Sequence, residues 1–463
     1  MAGRFRINGS AAAWIALALL VVPMFGSYFF DDMFSTVSYI FGDPSALQLG
    51  WGQDDYGKYT SGYSILCIFG GLVLCGMLLD RWGVRITGSI FVGLMVAGAA
   101  MVTWALLSGL PAAQSLDVAW AGCMLFGLGS EIAGVAVTRS IAKWFKGRNM
   151  AFAMGLQLAI ARLGTATAFL LSPVLVREKV ACLDASLTYT LSETARPAFF
   201  GLALLLLGGI FWAVFVAMDA RFDREARTSA EGGTPLGGST LPSDGSDEKF
   251  RFADVLKVLG NRNWWLLALL CVFFYSSIVA FKKFTGAILV PRFGVSAGIA
   301  GLMATILPFS TVVFAPLFGL MVDRRGHGTR WMTVGAVLAL LAHLVLAFAP
   351  SGSAFFGYLS MVLLGFSYSL VPAALWPSVP KVIPEKMLGT AFALIYWVQN
   401  LGLWAFKRFA GRILEAPQSG APVFNVELMF LAVCMAALLL AGLFAASSRR
   451  HPELALDKPN KKQ

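Results

Sequence analysis

Long apolar stretches separated by short polar loops run along the whole chain. Each stretch holds roughly 20 residues, the length that an α-helix needs to cross the hydrocarbon core of a bilayer, whereas a strand of a membrane barrel needs only about ten. The pattern therefore predicts twelve transmembrane helices. The predicted spans are residues 12–41, 56–79, 87–110, 118–141, 150–175, 198–218, 264–290, 297–321, 331–349, 354–376, 387–409 and 424–446.

The composition agrees with this prediction. Of the 463 residues, 58% are hydrophobic and only 13% are charged, where a soluble protein carries roughly a quarter charged residues. Backbone polar groups cannot be left unpaired in lipid, and only helices and closed barrels avoid this. We predict an all-α membrane protein.

A polar segment at 219–263 divides the chain into two apolar halves. Its middle, 228–247, is rich in Gly, Ser, Thr and Pro, which is typical of a flexible linker. The following stretch, 250–259, has the pattern of an amphipathic helix on a membrane surface. The predicted organisation is two six-helix pseudo-symmetric bundles, 1–218 and 264–446, with a linker at 219–263 and a tail at 447–463.

Lysine and arginine collect on one side of the predicted topology. That side includes the N-terminus, the loops after the second and eighth spans, the linker and the tail. Because basic residues mark cytoplasmic loops, both termini and the linker are predicted to be cytoplasmic. The net charge of +11 then reflects topology, and its dispersal along the chain argues against nucleic-acid binding.

Motifs of soluble enzymes and metal sites are not found in the sequence. Five of the six cysteines lie in apolar runs without a CxxC pair, and the three histidines are scattered. There is also no HExxH, GxSxG or phosphate-binding loop. We expect neither an enzyme nor a bound metal or cofactor.

One short signature closes the second span and recurs after the eighth. It reads GMLLDRWGVR at 76–85 and GLMVDRRG at 319–326. A repeat in two membrane halves is typical of transporters built from parallel repeats. The pattern G-x-x-x-D-R-x-G-x-R resembles the signature of the major facilitator superfamily, and with twelve spans the resemblance covers nearly the whole chain. It implies alternating access, in which two bundles rock about a central solute site.

The same resemblance implies a cytoplasmic gate. Asp80 and Asp323 would each meet the N-terminus of a helix in the opposite half, where the helix dipole is positive. The arginines beside them would bind facing acids, or would only set the topology. Arg139 is predicted near the cytoplasmic rim, in gating or loop contacts. The gating candidates are Asp80, Arg81, Arg85, Asp323, Arg324, Arg325 and Arg139.

Four shorter segments are similar to the lysosomal dipeptide uniporters of animals within that superfamily. They are FGSYFFDD at 25–32, WFKG at 144–147, GLQLAIARLG at 155–164 and QNLGL at 399–403. This resemblance implies a dipeptide as the solute and uniport as the transport mode. It also implies Glu131 and Arg162 as the residues that hold the two ends of the solute.

Glu131 and Arg162 are ionisable residues inside predicted spans. Such residues cost about 3 kcal/mol or more at the centre of a bilayer and are functional candidates for that reason. Both lie about 22 Å from the turn that joins their helices, at ~1.5 Å per residue, so they share one depth. One alternative is a salt bridge that only holds the two helices together.

The other alternative is a divided site for a zwitterion. Glu131 would bind an ammonium group, and Arg162 would grip a carboxylate with two parallel hydrogen bonds. A dipeptide backbone spans at most about 7 Å between its ends. Two opposite charges held at that separation would therefore select for length and leave the side chains free to vary.

Further candidates lie in other predicted spans. Asn400 matches Arg162 in the repeat, and it either bonds the solute or packs in the core. Asp32 attracts cations, titrates as a proton site, or ends its helix at the headgroups. Lys282 or Lys283 faces the cavity or extends to the membrane interface. The aromatic candidates for the pocket are Tyr28, Tyr275, Tyr396 and Trp397.

Three other polar residues are given structural roles. Each stands inside or near the end of an apolar run. Lys407 and Arg408 are predicted to extend to the outer membrane interface. His343 is predicted to be a satisfied core histidine.

The sequence thus predicts a secondary transporter of a small zwitterion, with a dipeptide as the first candidate. Proton coupling through Glu131 or Asp32 stays open beside uniport. An organic-anion or nitrate-type carrier is one alternative, and a non-transporting receptor or accessory subunit is another. Expected partners are the solute, membrane lipid and a candidate accessory subunit, with no nucleic acid. The predicted location is a bacterial plasma membrane, with the lysosomal membrane as the alternative.

Overall fold

The described part of the chain is almost entirely helical. The computed structural model describes residues 10–145, 149–178, 188–231, 252–415 and 421–459. Apart from helices and turns, these residues contain one isolated β-bridge, between Leu47 and Tyr189. The predicted all-α fold is confirmed.

Long helices fill both halves of the chain, and a short one precedes the second half. The helices of the N-terminal half are α1 (Ser10–Asp32), α2 (Gln53–Ile68), α3 (Gly71–Leu107), α4 (Ala112–Trp144), α5 (Met150–Val176) and α6 (Leu191–Glu231). They are followed by α7 (Phe252–Leu259), α8 (Arg262–Tyr275), a π-helical turn (Ser276–Ala280), α9 (Phe281–Lys283), α10 (Thr285–Phe293), α11 (Ala297–Arg325), α12 (Gly328–Phe348), α13 (Ala354–Leu375), α14 (Val379–Val382), α15 (Leu388–Glu415) and α16 (Pro422–Arg450).

Among the described residues, ten helical segments are long and apolar enough to cross a membrane. The other two predicted spans are also helical. The second span breaks at Gly70 and resumes as the first part of α3, up to Gly83, where a left-handed φ of 76° interrupts the helix. The eleventh span is α15, whose outer end carries four charged residues. A broken helix in the second span and the charges of the eleventh therefore explain why ten described helices, and not twelve, meet the criteria of length and apolarity.

Two predicted boundaries are wrong. α1 ends at Asp32 and not near residue 41, because the chain turns there into two short 3-10 helices. α6 continues past residue 218 to Glu231, because its polar end is rich in residues that favour a helix in water. The predicted surface helix is present as α7, and residues 232–251 of the predicted linker lie outside the described residues.

Two helix pairs carry the contact between the halves. α2 packs along α15, and α5 packs along α11. Within the halves, α1 lies against α5 and α6, α3 against α4, and α12 against α13 and α16. The contact between the halves is therefore built mainly from these two helix pairs.

Two glutamates join the halves at the outer end, which is the end opposite the signature loops. Glu415 closes α15 and accepts hydrogen bonds from the backbone N–H groups of Gln53 and its neighbour at the start of α2. Glu178 follows α5 and accepts bonds from the N–H groups of Ala297 and Gly298 at the start of α11. A carboxylate there meets unpaired N–H groups and the positive end of the helix dipole. Each glutamate therefore holds one interface closed.

α2 and α15 are also in backbone contact at the outer end. A Cβ atom added to Gly57 would lie 2.9 Å from the carbonyl oxygen of Lys407, and one added to Gly411 would lie 2.6 Å from that of Gln53. Only glycine allows such a close approach. The outer end is thus closed by close packing as well as by hydrogen bonds.

Gly57→Val should open the outer end, because the added side chain cannot fit between the two backbones. Spin labels can be attached at Ser45 and Ser351, which lie in outer loops of the two halves, in a background without other cysteines. Double electron–electron resonance should then report a longer distance between the two labels. Gly442→Val is the matched control, because no atom lies within 4 Å of its Cβ position, and it should leave the distances unchanged. Unchanged distances in folded Gly57→Val would show that this contact does not hold the end closed.

Candidate functional site

α4 places Glu131 against α2. Tyr63 of α2 donates a hydrogen bond of 2.9 Å to Oε1 of Glu131. The tyrosine hydroxyl also lies 3.4 Å from Oγ of Ser130, which in turn lies 2.5 Å from Oγ of Ser27 on α1. One carboxylate oxygen is thus fixed by a hydroxyl from a neighbouring helix, and the carboxylate keeps acceptor capacity for a ligand.

α5 places Arg162 at the interface between the halves. Its Nη1 donates to the hydroxyl of Tyr368 on α13 over 3.4 Å. Its guanidinium lies 5.7 Å from the ring centre of Tyr28 and 5.3 Å from that of Tyr368. Its Nε is buried and has no hydrogen-bond partner among the described residues. The guanidinium is therefore oriented by aromatic rings and retains donors for a carboxylate.

Glu131 and Arg162 do not bond to each other. Tyr28 lies between them in the structure, because its ring centre is 5.7 Å from the guanidinium of Arg162 and the preceding Ser27 bonds to Ser130, which precedes Glu131. Within the described part of the chain, no ion pair joins Glu131 to Arg162. The two helices are therefore not held together by a salt bridge between these residues, which was one of the two alternatives.

An aromatic wall continues from the guanidinium into the C-terminal half. Tyr275 packs edge-on against Tyr368 at 6.0 Å and accepts a hydrogen bond of 3.1 Å from Nε1 of Trp376. Trp376 stacks on Tyr396 at 5.1 Å. Tyr28, Tyr275 and Tyr396, proposed from the sequence, lie along this wall, and their contact with a solute stays a prediction.

The sequence reasoning missed Tyr63, Tyr368 and Trp376. Each is an aromatic residue in a span, where the usual surroundings are lipid or core. For Tyr63 a signal exists, because Tyr56, Tyr59 and Tyr63 recur at intervals of three and four residues and so share one face of α2. For the other two, no spacing separates a pocket residue from a core residue.

Asn400 and Trp397 make other contacts. Asn400 is 7% exposed, and its Nδ2 donates to the carbonyl oxygen of Tyr396 on its own helix at 3.0 Å. Trp397 donates from Nε1 to the carbonyl oxygen of Ile68 at 2.7 Å and so links α15 to α2. A role in solute binding stays a prediction for both.

Asp32 and Lys282 belong to a buried cluster of ion pairs. Asp32 is 1% exposed, and its oxygens lie 2.7 Å from Nζ of Lys282 and 2.8 Å from Nζ of Lys283. Lys283 also pairs with Asp31 at 2.7 Å, and Thr165 donates to Asp32 at 2.8 Å. The cluster joins α1 to α9, and thus one half to the other. Asp32 and Lys282 come from two distant spans and neutralise each other in this structure. Neither of them therefore faces the open cavity that the sequence suggests.

The prediction that Lys407 and Arg408 extend to the membrane interface is wrong. Lys407 is 2% exposed, and its Nζ donates to a backbone carbonyl of α2 at 3.2 Å. Arg408 pairs with Asp54 at 3.0 Å. Both side chains face the opposite half and not lipid, because α15 packs along α2.

The predicted gating residues lie toward the end that carries the signature loops, opposite Glu178 and Glu415. Arg85 pairs with Asp223 at 2.9 Å and lies 3.7 Å from Asp219, both on α6 of the same half. The side chain of Asp80 lies outside the described residues. The remaining gating candidates are exposed, and they are Arg81, Arg139, Asp323, Arg324 and Arg325. Gating stays a prediction for these residues.

Two further features lie away from the site. Nδ1 of His343 on α12 lies 2.7 Å from Oε2 of Glu427 on α16, with both side chains fully buried. His343 therefore packs in the core as predicted, but its Nε2 has no hydrogen-bond partner among the described residues. A cavity of about 380 Å³ lies between α3, α5 and α6. Neither Glu131 nor Arg162 lines this cavity, so it is not the candidate site. Its lining includes Leu107, Leu175, Arg196 and Phe199.

The description of a known family fits this architecture. The model of the Major Facilitator Superfamily matches residues 10–406. The chain belongs to the Major Facilitator Superfamily. It is therefore a multi-pass integral membrane transporter, and the membership predicted from the repeated signature is confirmed. The superfamily and the relatives described next are transporters and not enzymes.

Several similar proteins are named lysosomal dipeptide transporter MFSD1. The one from Bos taurus is 29% identical over 418 residues, which cover 87% of this chain and 79% of the relative. The one from Homo sapiens is 28% identical over 87% of this chain and 80% of its own. The one from Danio rerio is 28% identical over 91% of this chain and 84% of its own. The predicted resemblance to lysosomal dipeptide transporters is confirmed.

Solved transporter structures share the fold. The peptide transporter POT in complex with alafosfalin has a TM-score of 0.66 at 16% identity, covering 98% of this chain and 97% of its own. The D-xylose-proton symporter has a TM-score of 0.65 at 16% identity, covering 94% and 97%. At these identities the likeness shows the fold alone.

Asp32→Asn should lower the melting temperature, because it leaves Lys282 and Lys283 with too little negative charge in a buried site. Removing one partner of a buried ion pair costs about 3–5 kcal/mol. Asp32→Asn combined with Lys282→Gln should recover part of the loss, because the cluster returns to neutrality. Thermal melting in detergent of both single variants and the double variant measures this coupling. Strictly additive losses would show that the charges do not act as a unit.

Proposed function

We propose that this transporter carries dipeptides and binds their ammonium group at Glu131 and their carboxylate at Arg162. The observation that supports this most is the buried Nε of Arg162, which has no partner among the described residues, together with a carboxylate on the preceding helix that Arg162 does not bond. A zwitterion with charges at its two ends satisfies both. Dipeptide ends lie up to about 7 Å apart, whereas the charges of a free amino acid are much closer.

The relatives support the same class of solute. Those named lysosomal dipeptide transporters match most of this chain and about four-fifths of their own length. Uniport is the proposed mode, following the resemblance to dipeptide uniporters. Asp32 is already bound by two lysines, so proton coupling would have to involve Glu131.

An organic-anion carrier is less well supported. Such a site requires a second cation beside Arg162 to bind its anion. The two lysines of α9 point instead to Asp31 and Asp32. No described contact therefore favours this alternative over a zwitterion.

Alternating access would use the predicted domains. The bundles predicted as 1–218 and 264–446, the first extended by α6 to Glu231, would move about the site. The rest of the predicted cytoplasmic linker 219–263 would join them, and the cytoplasmic tail 447–463 would follow. The outer contacts of Glu178 and Glu415 would break when the site opens outward. We place the protein in a bacterial plasma membrane, with the lysosomal membrane as the alternative and an accessory subunit as a candidate partner.

Wild-type protein in liposomes should exchange Ala-Ala and bind it more tightly than ligands that lack one charge. N-acetyl-Ala-Ala lacks the ammonium group, and Ala-Ala amide lacks the carboxylate. Loss of one partner of a desolvated charge pair costs about 2–5 kcal/mol, which is roughly 30-fold or more in affinity. Competition against labelled Ala-Ala and ligand-induced thermal shifts measure each affinity. A folded wild type that exchanges no dipeptide would favour a receptor.

Two variants test which residue binds the ammonium group of the dipeptide and which binds its carboxylate. Glu131→Gln should lose the discrimination against N-acetyl-Ala-Ala and keep that against Ala-Ala amide, and Arg162→Gln should do the reverse. Glu427→Gln makes the same change at a buried glutamate outside the site, and it should keep both preferences. If both preferences survive in Glu131→Gln and in Arg162→Gln, the assignment is wrong.

A further inference from the structure

Lys407 is a buried cation without a carboxylate partner among the described residues. Other cations at the contacts between the halves, Lys282, Lys283 and Arg408, each pair with an aspartate. The Nζ of Lys407 makes one described hydrogen bond, of 3.2 Å, to the carbonyl oxygen of Thr60. A lysine buried at membrane depth with one neutral acceptor is costly, so a functional reason is expected.

Lys407 reaches the candidate site through Tyr63. Its Nζ lies 5.5 Å from the centre of the Tyr63 ring. The hydroxyl of the same ring donates the bond of 2.9 Å to Glu131. A cation near the ring withdraws electron density and makes the hydroxyl a stronger donor. One tyrosine therefore connects the ammonium to the carboxylate.

We propose that Lys407 is a positioning residue that keeps Glu131 ionised and competes with the ammonium group of the solute for its charge. This inference rests on the proposed function. The contacts through Tyr63 place the two charges on the order of 10 Å apart, and at an effective dielectric constant of about 20 their interaction corresponds to roughly tenfold in affinity.

The competition belongs to the state with a closed outer end. Tyr63 and Thr60 lie on α2 and Lys407 lies on α15, so opening that end separates them. Glu131 would then attract the ammonium group fully when the site faces outward, and less when the outer end is closed. Lys407 would thereby favour release of the solute on the cytoplasmic side.

Other charged and titratable groups surround this pair and stay unchanged in the test. They face Lys407, Tyr63 or Glu131 from α1, α4, α9 and α15, and they contribute equally to wild type and variant. These groups are Asp31, Tyr28, Cys123, Lys282, Lys283 and Tyr396.

Lys407→Met removes the charge and keeps a side chain of similar length. At neutral pH, where Ala-Ala keeps its ammonium group and Glu131 is ionised in both proteins, the variant should bind Ala-Ala roughly tenfold more tightly, following the Coulomb estimate. On acidification its affinity should fall at a higher pH than that of wild type, because the nearby positive charge is gone. The two curves of affinity against pH should therefore lie apart at neutral pH and converge on acidification, where Glu131 is protonated in both proteins. Calorimetric titration with Ala-Ala from acidic to neutral pH measures them.

Matched controls separate charge from structure. Lys407→Arg keeps the charge and should give the wild-type curve. Lys58→Met removes a cation of α2 that pairs with Asp117 at 2.6 Å, and it should also give that curve. If Lys407→Met does not fold, Lys407→Gln, which keeps a donor for Thr60, takes its place.

Binding of N-acetyl-Ala-Ala distinguishes a failure of this inference from a failure of the proposed function. This ligand has no ammonium group, so wild type and Lys407→Met should bind it alike. Superimposed curves for Ala-Ala, or an equal change for both ligands, would overturn the role of Lys407. A wild type that does not distinguish the two ligands would instead overturn the proposed function.

Discussion

The structure depends on two opposite charges that share a low-dielectric interior without neutralising each other. A hydroxyl from α2 fixes the carboxylate of Glu131, and tyrosine rings from both halves orient the guanidinium of Arg162. Buried charges in such a medium interact strongly and are costly when left without a partner. In the proposed function, a ligand with matching charges at its two ends relieves this cost.

The closed outer end also contains buried charges, but there two aspartates are paired with opposite charges. Asp31 and Asp32 are neutralised by two lysines of the opposite half. Glu178 after α5 binds the N-terminus of α11, and Glu415 at the end of α15 binds the N-terminus of α2. These two contacts are related by the repeat of six spans. Completed pairs therefore stabilise the closed end, while the pair that we propose for the solute is left incomplete.

Local features of the sequence were sufficient for the fold and for two charged residues of the site. Span length and apolarity are properties of single segments, and an ionisable residue within an apolar run is a local anomaly. The burial of Lys407 is different. Near the end of a span, a lysine has the pattern of a residue that extends to the headgroups, and only the packing of α15 along α2 buries it. Tyr368 reaches Arg162 across 206 positions, a contact that no local pattern encodes.

A structure of the protein with bound Ala-Ala, determined by electron cryomicroscopy in lipid nanodiscs, tests the central claim most directly. The ammonium group should lie within hydrogen-bond distance of Glu131, and the carboxylate should meet Arg162 through two parallel hydrogen bonds. A direct ion pair between Glu131 and Arg162, or a dipeptide bound away from both, would contradict the claim.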